Sequence, residues 1–121
     1  MQASYQSQAK TILITGSSGR IGGAIAASLS KHYSIIGIDI KSGSYTTNIM
    51  DIRSSEIVKL VEKVNFVIHT AALLPQHIGI HGDKEFWDIN VSGTENLLHA
   101  CLKNKVDRFI FASTTSIYDF I

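Results

Sequence analysis

The sequence predicts an α/β fold, a parallel sheet with helices on both faces. Three observations lead there. Short apolar runs at residues 11–15, 34–39, 65–69 and 108–112 suit strands buried on both faces. Segments with apolar residues at helical spacing lie between them. A chain of 121 residues, 45% of them apolar, suits one domain with its own core. Strands that alternate with helices run parallel and are joined by right-handed crossovers.

Taken in order, residues 1–10 read as a polar lead-in, and residues 11–121 as the domain. The run Ile12-Leu13-Ile14 gives the first strand, which stops at Gly16. Ile21, Ile25 and Leu29 then recur at i, i+4 and i+8, with Ala24 and Ala26 between them, which predicts a helix with one apolar face. Residues 34–39 give the second strand, ending at Asp39, and a short third strand is expected near residues 46–49. Ser54 or Ser55 can cap a helix through Ile57, Leu60, Val61 and Val64. Residues 65–69 form the next strand. Pro75, Gly79 and Gly82 mark a loop over residues 73–84. A long helix is expected over residues 84–103, with Trp87, Val91, Thr94, Leu98 and Cys101 on its inner face. Residues 108–112 form the last strand, so the sheet is truncated after about the fifth strand.

Composition narrows the function. Eleven basic residues against ten acidic ones leave a net charge of +1. That balance excludes a disordered tail and an electrostatic nucleic-acid binder, and no nucleic-acid partner is expected. The single cysteine, Cys101, cannot form an internal disulfide and is expected as a buried apolar residue. No apolar run approaches the ~18 residues of a membrane span, and the first ten residues lack an apolar signal core. A cytoplasmic protein with no membrane partner is the expectation.

The strongest local signal is Thr15-Gly16-Ser17-Ser18-Gly19-Arg20-Ile21-Gly22, directly after a strand and before a helix. Gly16 supplies a turn that a side chain would obstruct. Gly19 lets backbone amides approach a pyrophosphate, and Gly22 lets the helix pack closely. The helix start offers unpaired N–H groups and a partial positive charge to phosphates. Alone, the glycine triplet is also compatible with an ordinary βα turn. Asp39, about 20 residues on at the end of the second strand, is where a ribose-binding carboxylate belongs. It would repel the extra phosphate of NADP, so NAD is the expected cofactor. Arg20 weighs the other way, since a guanidinium in the loop can reach a 2′-phosphate. Together these features make the sheet a Rossmann type.

These stretches and four others give the chain its resemblance to the N-terminal half of extended short-chain dehydrogenase/reductases, the NAD-dependent epimerase/dehydratase kind. TGSSGRIG resembles the family's TGxxGxxG loop, here Gly16, Ser18, Gly19, Arg20, Ile21 and Gly22, followed by Asp39 and Ile40 at the ribose. Asp51-Ile52 resembles the acidic-aliphatic pair that meets the adenine. Ile68-His69-Thr70-Ala71-Ala72 resembles the segment lining the nicotinamide side. Asn90-Val91-Ser92-Gly93-Thr94-Glu95-Asn96-Leu97-Leu98 resembles the NxxGTxNLL helix, and residues 109–118 resemble the strand that delivers a catalytic hydroxyl. The resemblance runs over residues 11–118. It implies NAD as cofactor through Thr70, Ala71, Ala72 and Asn90 as well, and a (nucleotide-)sugar as substrate of full-length relatives. Those enzymes abstract hydride from a sugar carbon and later return it. Thr114 would be the catalytic hydroxyl, with Ser113 as fallback. Asn90 would bond the loops framing the nicotinamide.

Several residues carry plainer expectations. His69 reads as a satisfied core histidine. Trp87 reads as a core or interface residue. His77 and His81 have i, i+4 spacing but no third ligand nearby, and no metal is expected. One part of the family pattern is missing: no Tyr-x-x-x-Lys pair occurs in residues 1–121. The phenol of that pair, with a pKa near 10, needs a neighbouring cation to act as a base at neutral pH. The chain is therefore expected to bind NAD weakly and to turn over nothing by itself. It would be a fragment, a free-standing module that senses dinucleotide or binds a protein, or a unit completed by a partner chain. Apolar residues near the last strand favour self-association into a homo-oligomer.

Overall fold

The structure, a computed structural model, describes residues 9–73 and 79–114. Five parallel strands, β1 (Thr11–Thr15), β2 (Ser34–Asp39), β3 (Asn48–Ile49), β4 (Phe66–His69) and β5 (Arg108–Phe111), form one sheet in the order β3-β2-β1-β4-β5. Leu13 sits opposite Ile36 on one side and Val67 on the other, so β1 lies at the centre.

Because successive side chains of a strand point to opposite faces, each central strand feeds two cores. Ile12, Ile14 and Ile68 pack on the face covered by α1 (Arg20–Leu29). Leu13, Ile38 and Val67 pack on the other face, against α2 (Ile57–Leu60) and α4 (Gly93–Lys103). This double burial is why the strands read as continuous apolar runs. The expected α/β architecture with helices on both faces is present.

Three expectations need correction. The apolar stripe of α1 is Gly22, Ile25, Ala26 and Leu29, whereas Ile21, expected to begin it, is 61% exposed. The third strand is only two residues long, because Asn48 and Ile49 alone pair with Ile38 and Asp39 at the sheet edge. The helix expected over residues 84–103 is divided into α3 (Asp83–Trp87), a π turn (Asp88–Ser92) and α4. The π turn adds a residue to one turn and shifts the phase of what precedes it. The inner face of α4 is consequently Gly93, Leu97, Ala100 and Cys101. Leu98 is pushed partly outward, and Trp87 is 63% exposed rather than in the core. Cys101 is buried as expected, and burial pushes its thiol up to about 11, so it stays protonated at neutral pH.

The helix after Asp51 is also shorter than its apolar pattern. α2 runs into a 3-10 turn, Val61–Lys63. Ser54 Oγ accepts the amide of Glu56 in the turn before the helix, but the N-cap of α2 is Glu56 and no side chain caps it, so neither Ser54 nor Ser55 forms the expected cap. Ile57, Val61 and Val64 are buried.

Candidate functional site

The C-terminal ends of β1, β2 and β4 carry the polar residues singled out by the sequence. At the end of β1, Gly16 has φ +74°, a left-handed conformation that a side chain disfavours. A Cβ there would stand 2.6 Å from Thr70 Oγ1. One turn later, a Cβ on Gly22 would fall 2.1 Å from the Gly16 carbonyl oxygen. The first turn of α1 therefore lies directly on the glycine turn. Gly19 is its extended N-cap and supplies no capping side chain. The first helical amides of Arg20, Ile21 and Gly22 thus lack intrahelical partners, as at any helix start. Arg20 adds a cation where the macrodipole is already positive, an arrangement that favours an anion at this end. Arg20 and Ile21 are both exposed there.

Asp39 stands beside this turn. Its Oδ2 accepts the Ser18 amide at 3.0 Å, and its Oδ1 accepts the Lys41 amide at 3.1 Å. Each oxygen retains a further lone pair for a ligand hydroxyl. Ile40, the next residue, is 63% exposed on the rim. The loop after β2 closes on the glycine turn through hydroxyls. Ser18 Oγ donates to the Lys41 carbonyl at 2.7 Å, so it accepts from Thr46 Oγ1 at 2.6 Å. Thr46 in turn accepts from Ser17 Oγ at 2.5 Å. Thr46 carries no signal in the sequence, because its partners are 28 and 29 residues away.

Asp51 and Ile52 lie after β3. Both oxygens of Asp51 are held by Arg53, through Nε at 2.9 Å and the terminal nitrogen at 2.7 Å. Those side-chain hydrogen bonds hold the Asp51 carboxyl below its ordinary range, so it is ionised at neutral pH. The Ile52 side chain is buried in the core and touches the space above Gly93. Only its backbone can face a ligand. Asn96 fixes this segment to α4 by donating to the carbonyls of Ile52 and Ser54.

The β4 side is built differently. His69 is 1% exposed, with Thr15 Oγ1 2.6 Å from Nδ1 and Thr94 Oγ1 2.8 Å from Nε2. The Thr94 hydroxyl spends its proton on the Asn90 carbonyl at 2.7 Å. It must then accept from Nε2–H, which leaves Nδ1 as the acceptor for Thr15 O–H. Thr15 Oγ1 accepts the amides of Thr70 and Ala71, each at 3.0 Å. Every donor finds one acceptor in a single direction, and no buried side-chain polar atom is left unpaired among the described residues. Burial pushes the imidazole down to about 4, so His69 is neutral at physiological pH. It is a satisfied core histidine, as expected.

Asn90, on the π turn, grips the segment after β4 with both ends of its amide. Its Oδ1 accepts the Leu73 amide at 2.7 Å, and its Nδ2 donates to the Leu73 carbonyl at 3.0 Å. Ala72 is exposed between these anchors, and Thr70 Oγ1 donates to the Thr15 carbonyl. Ser113 and Thr114 are exposed just beyond β5. His77 lies outside the described residues. His81 contacts Glu85 at 2.5 Å, and no group of three metal-ligating side chains occurs among the described residues. Likewise no helix among them is long and apolar enough to cross a membrane.

A glycine turn under an uncapped helix, at the end of the central strand of a 3-2-1-4-5 parallel sheet, places the chain in the class of Rossmann-type α/β domains. Residues 12–119 match the NAD dependent epimerase/dehydratase family, and the chain belongs to that family. It is 32% identical over 130 residues to the mouse dTDP-D-glucose 4,6-dehydratase, covering 91% of this chain and 37% of that one. A putative UDP-glucose 4-epimerase from Methanocaldococcus jannaschii is 34% identical over 117 residues, covering 85% of this chain and 37% of that protein. Among solved structures, MoeE5 in complex with UDP-glucose and NAD superposes with a TM-score of 0.83 at 27% identity, over 92% of this chain and 38% of MoeE5. The chain thus spans little more than a third of the length of these relatives.

Proposed function

We propose that this chain is the NAD-binding part of an epimerase/dehydratase-type enzyme acting on a nucleotide sugar, and that residues 11–121 form its cofactor domain. One observation carries the reading: the Asp39 carboxylate rests against the Ser18 amide of the glycine turn, with lone pairs left over. A ribose acceptor and a diphosphate cradle therefore adjoin each other. The first-turn amides of α1 would take the diphosphate, and Asp39 the two hydroxyls of the adenosine ribose. The ionised Asp51 and the backbone of Ile52 would meet the adenine, and Ile40 would border it. Thr70, Ala71, Ala72 and Asn90 would form the wall on the nicotinamide side.

The residues present fit such a group, because a Cβ at Gly16 or Gly22 would occupy the cradle or collide with its floor. NAD supplies a hydride acceptor when bound. Thr114 would hydrogen-bond the reacting oxygen of a sugar. Without a Tyr-x-x-x-Lys pair in residues 1–121, the chain by itself would move no proton at that oxygen. MoeE5 is solved in complex with NAD and either UDP-glucose or UDP-glucuronic acid, which supports both ligand classes. Cytoplasmic residence fits a chain with a protonated, unpaired Cys101. The exposed Leu102, Ile110 and Phe111 around the β5 edge support self-association or a completing partner chain.

The test is titration of NAD and NADP into the 121-residue chain, read by the fluorescence of its single tryptophan, Trp87. NAD should bind more tightly than NADP, since a carboxylate at the ribose repels a 2′-phosphate. Asp39→Ala should weaken NAD by roughly 1–3 kcal/mol and narrow the gap between the two. An affinity unmoved by that change would refute the assignment.

A further inference from the structure

The buried hydrogen-bond chain beneath the β4 side asks for an explanation beyond packing. Two buried polar residues at the ends of β1 and β4, Thr15 and His69, are linked through the half-buried Thr94 of α4 to Asn90 in the π turn of the long helix. Threonine hydroxyls that bond back to the carbonyl four residues earlier bend helices. π turns concentrate at functional sites. Thr94 makes that back-bond to Asn90, which lies within the π turn. Asn90 in turn holds the Leu73 backbone at both its N–H and its C=O. At the other end of the chain, Thr15 is the residue before Gly16 and gathers the amides of Thr70 and Ala71.

We propose that His69 and Thr94 are a positioning pair for the dinucleotide: His69 Nε2–H orients the Thr94 hydroxyl onto the Asn90 carbonyl, which sets the π turn so that Asn90 fixes residues 70–73 against the glycine turn. Neither residue touches the cofactor; both act through Asn90 and Thr15. This inference rests on the reading of the cleft as an NAD site and assigns its nicotinamide-side wall to a network rather than to a loop. It predicts a split between the two ends of the ligand. The adenosine end is served by Asp39 and the glycine turn, which the pair does not reach except through Thr15.

The experiment compares NAD with ADP as probes, in wild type, Thr94→Val and Thr94→Ser. Valine keeps the shape and removes the hydroxyl, and serine restores the hydroxyl. Thr94→Val should bind NAD about fivefold more weakly, with ADP affinity unchanged within about twofold. Thr94→Ser should return NAD binding to near wild type. The same proteins are followed by amide hydrogen exchange, where Thr94→Val should speed exchange at Leu73 but not at Leu13 in the central strand. Equal losses for NAD and ADP, or a failure of serine to rescue, would mean a general packing defect and overturn the proposal. So would unchanged exchange at Leu73. If wild type binds neither nucleotide, the NAD reading itself fails, and the exchange comparison alone decides whether the pair holds the wall.

Discussion

The two sides of the cleft are made in opposite ways. The glycine-turn side, from Thr15 to Asp39, is shaped by what backbone can do when side chains are absent: a left-handed glycine, a helix with no capping side chain, and a carbonyl in contact with Gly22. The β4 side is shaped by side chains that satisfy one another, from the buried Thr15 and His69 to the half-buried Thr94 and Asn90. A backbone cradle tolerates exposure to water, because its amides are solvated when no ligand is there. A buried side-chain chain must be complete, because each orphaned group in a low-dielectric interior costs a full desolvation penalty. The first side should therefore fail sterically, and the second electrostatically.

The largest effect is expected on the first side. Gly22→Ala places a methyl group 2.1 Å from the Gly16 carbonyl oxygen, where rigid backbone has to move. It should cost about 3 kcal/mol in urea unfolding, and a change below about 1 kcal/mol would show that the helix start is looser than the geometry states. On the second side the break comes with acid. Unfolded His69 takes up a proton below about pH 6.5, whereas the folded residue does so only near pH 4. The folded state thus binds fewer protons between those values. Its stability should be full above pH 6.5 and fall on acidification towards pH 4, by about 1.4 kcal/mol per unit at most. The rings facing the imidazole, Phe109 and Phe111, carry no charge that could offset this loss. His69→Gln removes the titration, so its unfolding profile should be flatter over that range; an unchanged slope would assign the acid sensitivity to other groups.

The smallest effect belongs to the rim. The Asp51–Arg53 pair has ideal contacts but is more than a third exposed on both partners. Arg53→Ala should change stability by only about 0.5 kcal/mol, measured by thermal unfolding at low and high salt. A larger, salt-independent loss would place this pair in the supporting structure of the cleft and not on its surface.

The first side was also the more legible in the sequence. Gly16, Gly19 and Gly22 are spaced as a turn into a helix requires, and Asp39 closes an apolar run, so both features follow from neighbours along the chain. On the second side the residues were visible but their partners were not. Asn90 was expected to hold a loop, and it holds Leu73. Thr94 was placed on an apolar face, and it is a hydrogen-bonding hub. Trp87 and Leu98 were assigned inward by a period that the π turn interrupts.

By itself, the sequence determined the strands, their parallel order of appearance, the glycine turn and the carboxylate beside it. Those depend on local period and turn chemistry, which act over a few residues. Tertiary structure decided the phase of the long helix, the exposure of Trp87 and Ile21, and the proton order of the buried chain. Those depend on groups such as Thr15 and His69, 54 residues apart, whose hydrogen bond exists only once β1 and β4 lie side by side.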